Sequence, residues 1–248
     1  MKKYITYFDF LGFKNFILNN DSDYITNRIG HILRDIESAI GQGKIEITNR
    51  GAIADISKSR LNCLNISDTV IFWTNDDSFD SFKELLKVSF DFNWRVTCYH
   101  FPVRGAIVYD EIDIISGYQE TESGGTYNAN SIYGKGLVNA HIKAENLNLA
   151  SCVIDNSVIE KIQEFDEPVN IFGDYAIKYQ VPYKTGQLNN QEYLLKFFIN
   201  KTINPEACKN RAEGIKYAFE NDKKEMNERS ELLLKNTIDF LEILKDET

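Results

Sequence analysis

Tyr7-Phe8-Asp9-Phe10-Leu11-Gly12-Phe13 and Asn65-Ile66-Ser67-Asp68-Thr69-Val70-Ile71-Phe72 are the two stretches on which the fold turns. The first closes a short aromatic and β-branched run, Tyr4 to Phe10, that reads as a buried strand. An acid sits at the end of that strand, and a lone buried carboxylate is costly unless it is paired or bound to metal. Gly12 lets the backbone turn sharply, and helical sequence follows. Backbone N–H groups at such a helix start can face phosphate oxygens. In the second stretch, Leu61 to Ile66 and Thr69 to Thr74 read as strands joined by a tight turn at Ser67-Asp68. In a ferredoxin-like order the first strand lies beside this hairpin, so its end and the hairpin turn meet at one edge. Two carboxylates there form a divalent-metal clamp of the kind phosphoryl transfer needs. Either Asp read alone is ordinary turn chemistry. Taken together, each flanked by buried strand sequence, they leave both readings open.

Working outward, Lys14 to Leu18 and Tyr24 to Ile40 read as helix, with Ile25, Ile29, Ile32, Leu33, Ile36 and Ile40 near helical spacing. Lys44 to Thr48 alternates like a strand, and residues 49 to 60 read as a polar loop. Phe79 to Trp94 is a helix, Val103 to Tyr109 a strand, and 110 to 130 an exposed arm or loop. Tyr133 to Leu147 is a helix followed by a strand, Ser151 to Ile154. This order gives an α+β fold, an elaborated ferredoxin-like sheet with helices on one face. Residues 1–155 form this core, and 156–248 an α+β extension. In the extension, Ile159 to Phe165 reads as a short helix. Tyr175 to Val181 and Tyr193 to Ile199 pair as strands around a loop at Gly186-Gln187-Leu188-Asn189-Asn190, and Pro205 to Lys245 is a charged helical tail.

The bulk properties exclude several classes. The 248 residues, 43% of them hydrophobic, can bury a large core without disulfides. A net charge of -9, with no Lys/Arg run, argues against nucleic-acid binding. Metal ions can still bridge an acidic protein to a nucleotide. Cys63, Cys98, Cys152 and Cys208 form no CxxC pair, so neither a zinc site nor a disulfide framework is expected. No signal peptide or membrane-length apolar run is visible, and a reduced cytoplasmic setting is the expectation. His31, His100 and His141 are scattered, and no Ser-His-Asp or Cys-His set stands out.

Four stretches, in order, resemble the class III nucleotidyl cyclases. Phe8-Asp9-Phe10-Leu11-Gly12-Phe13 resembles their first metal motif and Ser67-Asp68 their second. Val103-Arg104-Gly105-Ala106-Ile107 resembles their Arg-x-Gly-Ile strand, and Tyr133-Gly134 through Asn139-Ala140-His141-Ile142-Lys143 their Val-Asn-x-Ala-x-Arg helix. The resemblance spans residues 4 to about 155 and is nearest to the pyrimidine cyclases of the Pycsar anti-phage defence system. It implies that Asp9 and Asp68, with the Phe10 carbonyl, ligate two divalent metal ions, Mn²⁺ or Mg²⁺. Leu11, Gly12 and Phe13 offer N–H groups to the triphosphate. Asn139 orients the ribose, and Lys143 stands where the family has its transition-state Arg. Lys supplies charge without the bidentate fork, and a solvated helix charge is the other reading of Lys143. Arg104 is included among the catalytic candidates, with a structural or inter-subunit role as its other reading.

The purine-reading Lys and Asp of adenylyl cyclases correspond to Leu64 and Ile132, neither of which can hydrogen-bond a base. The resemblance therefore implies a cyclase that turns UTP or CTP into the 3′,5′-cyclic monophosphate and pyrophosphate, as a defence signal. It also implies a homodimer with shared active sites, with the metals on one subunit and Asn139 and Lys143 from the other. A catalytically weak or inactive nucleotide-binding regulator fits the same departures. A polymerase-like or diguanylate-cyclase-like palm is a third reading, for which Asn65-Ile66-Ser67-Asp68 is a poor match.

Overall fold

The strand that ends in Asp9 lies inside the sheet, with neighbours on both sides. In the computed structural model, which describes residues 1–49, 51–165, 169–185, 191–198 and 204–246, this strand is β1 (Lys2–Phe10). It pairs antiparallel with β5 (Thr69–Trp73) on one side and with β6 (Val103–Glu111) on the other. β4 (Asn62–Ile66) forms the hairpin with β5 at one edge of the sheet. Beyond β6 come β9 (Cys152–Ile154), β11 (Gln191–Leu195) and β10 (Ala176–Gln180). Only the β6–β9 pairing is parallel among these seven strands. The strands β10 and β11, from the region beyond residue 155, thus continue the same sheet. The expected Gly186–Asn190 loop lies outside the described residues, as does the last position of the expected strand ending at Ile199.

The two faces of β1 separate the molecule into two cores. Tyr4, Phe8 and Phe10 point to one side, where they pack with α1 (Phe13–Asn19), α2 (Ser22–Gly41), α3 (Phe79–Tyr99) and α5 (Asn156–Ile162). Thr6 shares this face and hydrogen-bonds Ser89 of α3 at 2.7 Å. Phe8 is fully buried against Phe72 and Phe92, a burial that stabilises by about 2–3 kcal/mol. Ile5 and Tyr7 point the other way, into a second core with α4 (Lys135–Asn146), α6 (Pro205–Glu220) and α7 (Glu228–Asp246). The expectation of helices on one face is therefore corrected: both faces carry them. The cause is α4, whose Ala140 and Ala144 pack there, together with the C-terminal region, whose Ile215, Phe219, Leu233 and Phe240 bury an apolar stripe on the second face.

Two hairpins stand off the sheet. β2 (Ile45–Thr48) pairs with β3 (Gly51–Ala54), so a strand lies within the expected 49–60 loop. β7 (Asp113–Glu120) pairs with β8 (Thr126–Tyr133) to make the exposed arm a two-stranded ribbon. The C-terminal tail is two helices rather than one, broken where Asp222, Lys223 and Glu225 adopt positive φ.

Candidate active site

The first carboxylate is placed by a strand that stops abruptly. Phe10 N–H donates to the Asp68 carbonyl at 2.9 Å, and Leu11 N–H to the Pro102 carbonyl at 2.9 Å. Gly12 then takes φ +80°, where a side chain would be strained, and α1 starts at Phe13. Phe13 is buried and stacks on Phe10, which fixes the turn from inside. The N–H of Leu11 is thus taken by Pro102 and is not available to a triphosphate, contrary to the expectation for that residue. Those of Gly12 and Phe13 have no acceptor among the described residues.

The second carboxylate rides the β4–β5 turn, where Ser67 adopts φ +54° and Asn65 Nδ2 donates to the Thr69 carbonyl at 3.0 Å. The Phe10 N–H bond to the Asp68 carbonyl ties this turn to the end of β1. Asp9 and Asp68 consequently line one cleft of about 340 Å³, which the Gly12 turn also lines.

Asp9 faces Arg104 across the β1–β6 ladder. The guanidinium places Nε at 2.8 Å and Nη2 at 2.7 Å from the same oxygen, Oδ2, and also pairs with Glu145 of α4. Oδ1 accepts no hydrogen bond from a described residue. Burial raises the Asp9 pKa, Arg104 opposes that, Asp68 adds to it, and the net shift is upward. A carboxylate desolvated beside another carboxylate is in the position that a bound cation relieves. Among the described residues no group of three or more His, Cys, Asp or Glu side chains forms a closed metal cage. Two carboxylates in an open cleft instead suit Mg²⁺ or Mn²⁺, which take one or two carboxylates and complete their shell with water and substrate phosphates. The residues fit such ions.

Arg104 is 6% exposed, and among the described residues its guanidinium bonds the Asp9 carboxylate and both the carboxylate and the backbone carbonyl of Glu145. Its geometry positions Asp9. Glu145 is pushed up by burial but pulled down further by Arg104, Lys184 and Arg229, and sits below its ordinary value. Glu145, Arg229 and Lys14 all line the cleft, and none was singled out from the sequence. Glu145 shares α4 with Asn139 and Lys143 but occupies another side of the helix. Arg229 lies in a tail whose pattern shows only helix.

Asn139 and Lys143 line a separate cavity of about 550 Å³ on the other side of α4. Neither lines the Asp9–Asp68 cleft. Asn139 is exposed and donates to Asp110 Oδ2 at 2.9 Å. Lys143 contacts Asp155 at 2.6 Å and Glu192 at 2.5 Å, and Tyr183 donates to the other Glu192 oxygen. Burial pulls the Lys143 pKa down, but the two carboxylates outweigh it and hold the ammonium charged. The solvated-charge reading of Lys143 therefore fails. Leu64 and Ile132 are half-buried against the second core, and neither lines the Asp9–Asp68 cleft.

Solved structures similar in fold to this chain include cyclase domains. The non-canonical dimeric guanylyl cyclase domain of the RhoGC fusion protein from the aquatic fungus Blastocladiella emersonii matches with a TM-score of 0.50 at 9% identity, covering 78% of this chain and 93% of that one. The fold is that of a nucleotide cyclase catalytic domain. The guanylate cyclase domain of RhGC from Catenaria anguillulae, solved with GTP, gives 0.48 at 9% identity over 79% of this chain and 96% of that one. The adenylyl cyclase CyaB from P. aeruginosa gives 0.43 at 12% identity, covering 79% and 95%. No family model matches the sequence, and no curated protein matches it. No helix among the described residues is long and apolar enough to cross a membrane.

Proposed function

We propose that this chain is a metal-dependent nucleotide cyclase that converts UTP or CTP into the 3′,5′-cyclic monophosphate and pyrophosphate. The observation that carries the reading is the convergence of Asp9, Asp68 and the Gly12 turn on one cleft. In the reaction the ribose 3′ oxygen attacks the α-phosphorus, the bond from that phosphorus to the β-bridging oxygen breaks, and the 3′ hydroxyl proton passes to solvent. Two divalent ions held by Asp9, Asp68 and the Phe10 carbonyl would supply charge neutralisation and acidify the 3′ hydroxyl. Gly12 and Phe13 offer N–H groups to phosphate oxygens, and Arg104 keeps Asp9 ionised and aimed. The rest is positioning, which carries most of the rate in phosphoryl transfer.

The pyrimidine preference rests on Leu64 and Ile132, which give the base no hydrogen bonds where the resemblance implies purine readers. The resemblance to the Pycsar enzymes adds that the product serves as a second messenger in anti-phage defence. Asn139 and Lys143 line a different cavity, so they reach a ribose held at Asp9 and Asp68 only from a second subunit. A two-fold homodimer supplies two such composite sites. Mixed dimers of Asp68→Ala with Asn139→Ala would then regain activity, and no recovery would remove the shared-site arrangement.

Incubation with each of the four nucleoside triphosphates and Mn²⁺ tests the activity. A cyclic pyrimidine product is expected, and no cyclic product from any of the four rejects it. One observation favours a second reading. Lys143 is already held by two carboxylates, which suits a nucleotide-binding protein with little turnover. Nucleotide affinity without cyclisation would support that reading.

A further inference from the structure

The connection between α6 and α7 passes over the Gly12 turn at the cleft, and it is fastened there. Asn15 Nδ2 donates to the Lys224 carbonyl at 3.1 Å, Asn19 Nδ2 to the Lys223 carbonyl at 3.0 Å, and Asn20 Nδ2 to the Asp222 carbonyl at 2.8 Å. Three side-chain amides of α1 and its C-cap therefore hold three consecutive peptide carbonyls. The Lys224 side chain runs under this strap and over Gly12, so close that a Cβ on Gly12 would lie 3.2 Å from it. Its ammonium is spent on structure: it donates to the Ala218 carbonyl at 2.8 Å and pairs with Asp222 at 3.1 Å, above the Phe101 ring. Asp222 is held in turn by Arg28 at 2.8 Å and by the Tyr24 hydroxyl at 2.6 Å.

The strap delivers Arg229 to the cleft. Arg229 is exposed, lies in the first turn of α7, and lines the same cavity as Asp9, Asp68 and Gly12. Lys14, also exposed, lines it from α1. Neither forms an ion pair with a described residue. The backbone at the α7 terminus is already capped, since Asn227 Oδ1 accepts from the N–H groups of Arg229 and Ser230, both at 3.1 Å. What the start of α7 offers the cleft is thus the Arg229 guanidinium rather than a helix end. One wall carries the carboxylates that would hold metal ions; the other carries Lys14 and Arg229, and although Glu145 and Glu225 also line the cleft and Arg229 helps hold the Glu145 pKa down, neither cation is closed into an ion pair. A polyphosphate chain running from the metal side toward Lys14 and Arg229 satisfies both, and a guanidinium fork matches phosphate oxygens in pairs.

We infer that Arg229 is a substrate-binding residue that takes the terminal phosphates of the nucleotide, presented by the strap of the C-terminal extension and assisted by Lys14. The inference rests on the reading of the cleft as a triphosphate site. It assigns the extension a part in the site of its own subunit.

The test is equilibrium binding with the full-length protein and Mg²⁺, using each of the four nucleoside triphosphates and inorganic tripolyphosphate as probes. Arg229→Ala should weaken both kinds of probe by about tenfold or more, as expected for loss of a charge-assisted contact. Arg229→Lys should recover part of the loss. Asn19→Ala, which loosens the strap without touching Arg229, should weaken the same probes in the same sense. Thermal melts check that the variants stay folded, as the exposure of Arg229 leads one to expect. Unchanged tripolyphosphate and nucleotide affinity in Arg229→Ala overturns the inference even if the wild type makes cyclic product. A wild type that binds triphosphate through Arg229 but forms no cyclic product sinks the cyclase reading and leaves the inference standing. A wild type that binds none of the probes removes both.

Discussion

Arg104→Leu removes the cation that Asp9 faces and keeps an apolar side chain in its place. Arg104 and Asp9 have side chains only 7% and 16% exposed, so this half of the interaction behaves as a buried pair. Removing one partner of such a pair costs about 3–5 kcal/mol, because the other charge is left uncompensated. The Glu145 half is 44% exposed and adds at most about 1 kcal/mol. Leucine recovers some of the packing of the arginine stem. The expected loss is about 3–4 kcal/mol, or roughly 10 °C in melting temperature for a chain of this size. Asp9→Asn in the same background removes the orphaned charge and should restore about 2 kcal/mol. The assay is a double-mutant cycle by thermal and urea unfolding, repeated with Mn²⁺. Mn²⁺ should raise the melting point of Arg104→Leu at least as much as that of the wild type, since it replaces the lost counter-charge. It should do so less once Asp9 is Asn. Additive effects, with a coupling below about 0.5 kcal/mol, would refute the assignment of Arg104 as the partner that holds Asp9.

Three further outcomes are expected. Lys143→Met should destabilise by about 2–4 kcal/mol in chemical unfolding, because Asp155 and Glu192 lose their shared cation, whereas a purely catalytic lysine would be silent there. Gly105→Ala should cost about 1–3 kcal/mol, since its Cβ would sit 2.6 Å from the Phe8 ring and 2.7 Å from the Tyr7 carbonyl. Burial pushes Lys224 down from 10.5 to about 8 despite Asp222, so between those pH values the unfolded chain binds more protons than the folded one. Stability from this group therefore rises with pH across that window. Relative to Lys224→Met, the wild type should gain about 3 kcal/mol from pH 8 to 10.5, and a flat difference would contradict the burial.

The parts legible in the sequence were those where a local rule and the tertiary structure ask for the same thing. Asp9 before Gly12, and Asp68 in a hairpin between two apolar runs, are local signals that the sheet then brings to one cleft. The alternation of Tyr4, Phe8 and Phe10 against Ile5 and Tyr7 likewise marks a strand with two buried faces. What was missed lacked such agreement. β3 is a Gly-Ala-Ile-Ala run with no buried face, so nothing in its pattern separates it from a loop. The break between α6 and α7 has no Gly or Pro; it is made by non-glycine residues at positive φ, stabilised by asparagines some two hundred positions away. Such long-range hydrogen bonds leave no trace in helical periodicity, and Arg229 went unnoticed with them. Lys143 was legible as a position but not as a state, because its partners Asp155 and Glu192 come from the following strand region and from β11.

The most direct test of the central claim is a side-by-side rate measurement on wild type, Asp9→Ala and Asp68→Ala with UTP, CTP, ATP and GTP in Mn²⁺, with the products resolved by mass. The expected result is a cyclic pyrimidine nucleotide from the wild type and a loss on the order of a thousandfold in each variant, in keeping with several kcal/mol of metal-borne stabilisation. Cyclic product formed at the wild-type rate by a folded Asp9→Ala or Asp68→Ala protein would contradict the metal pair.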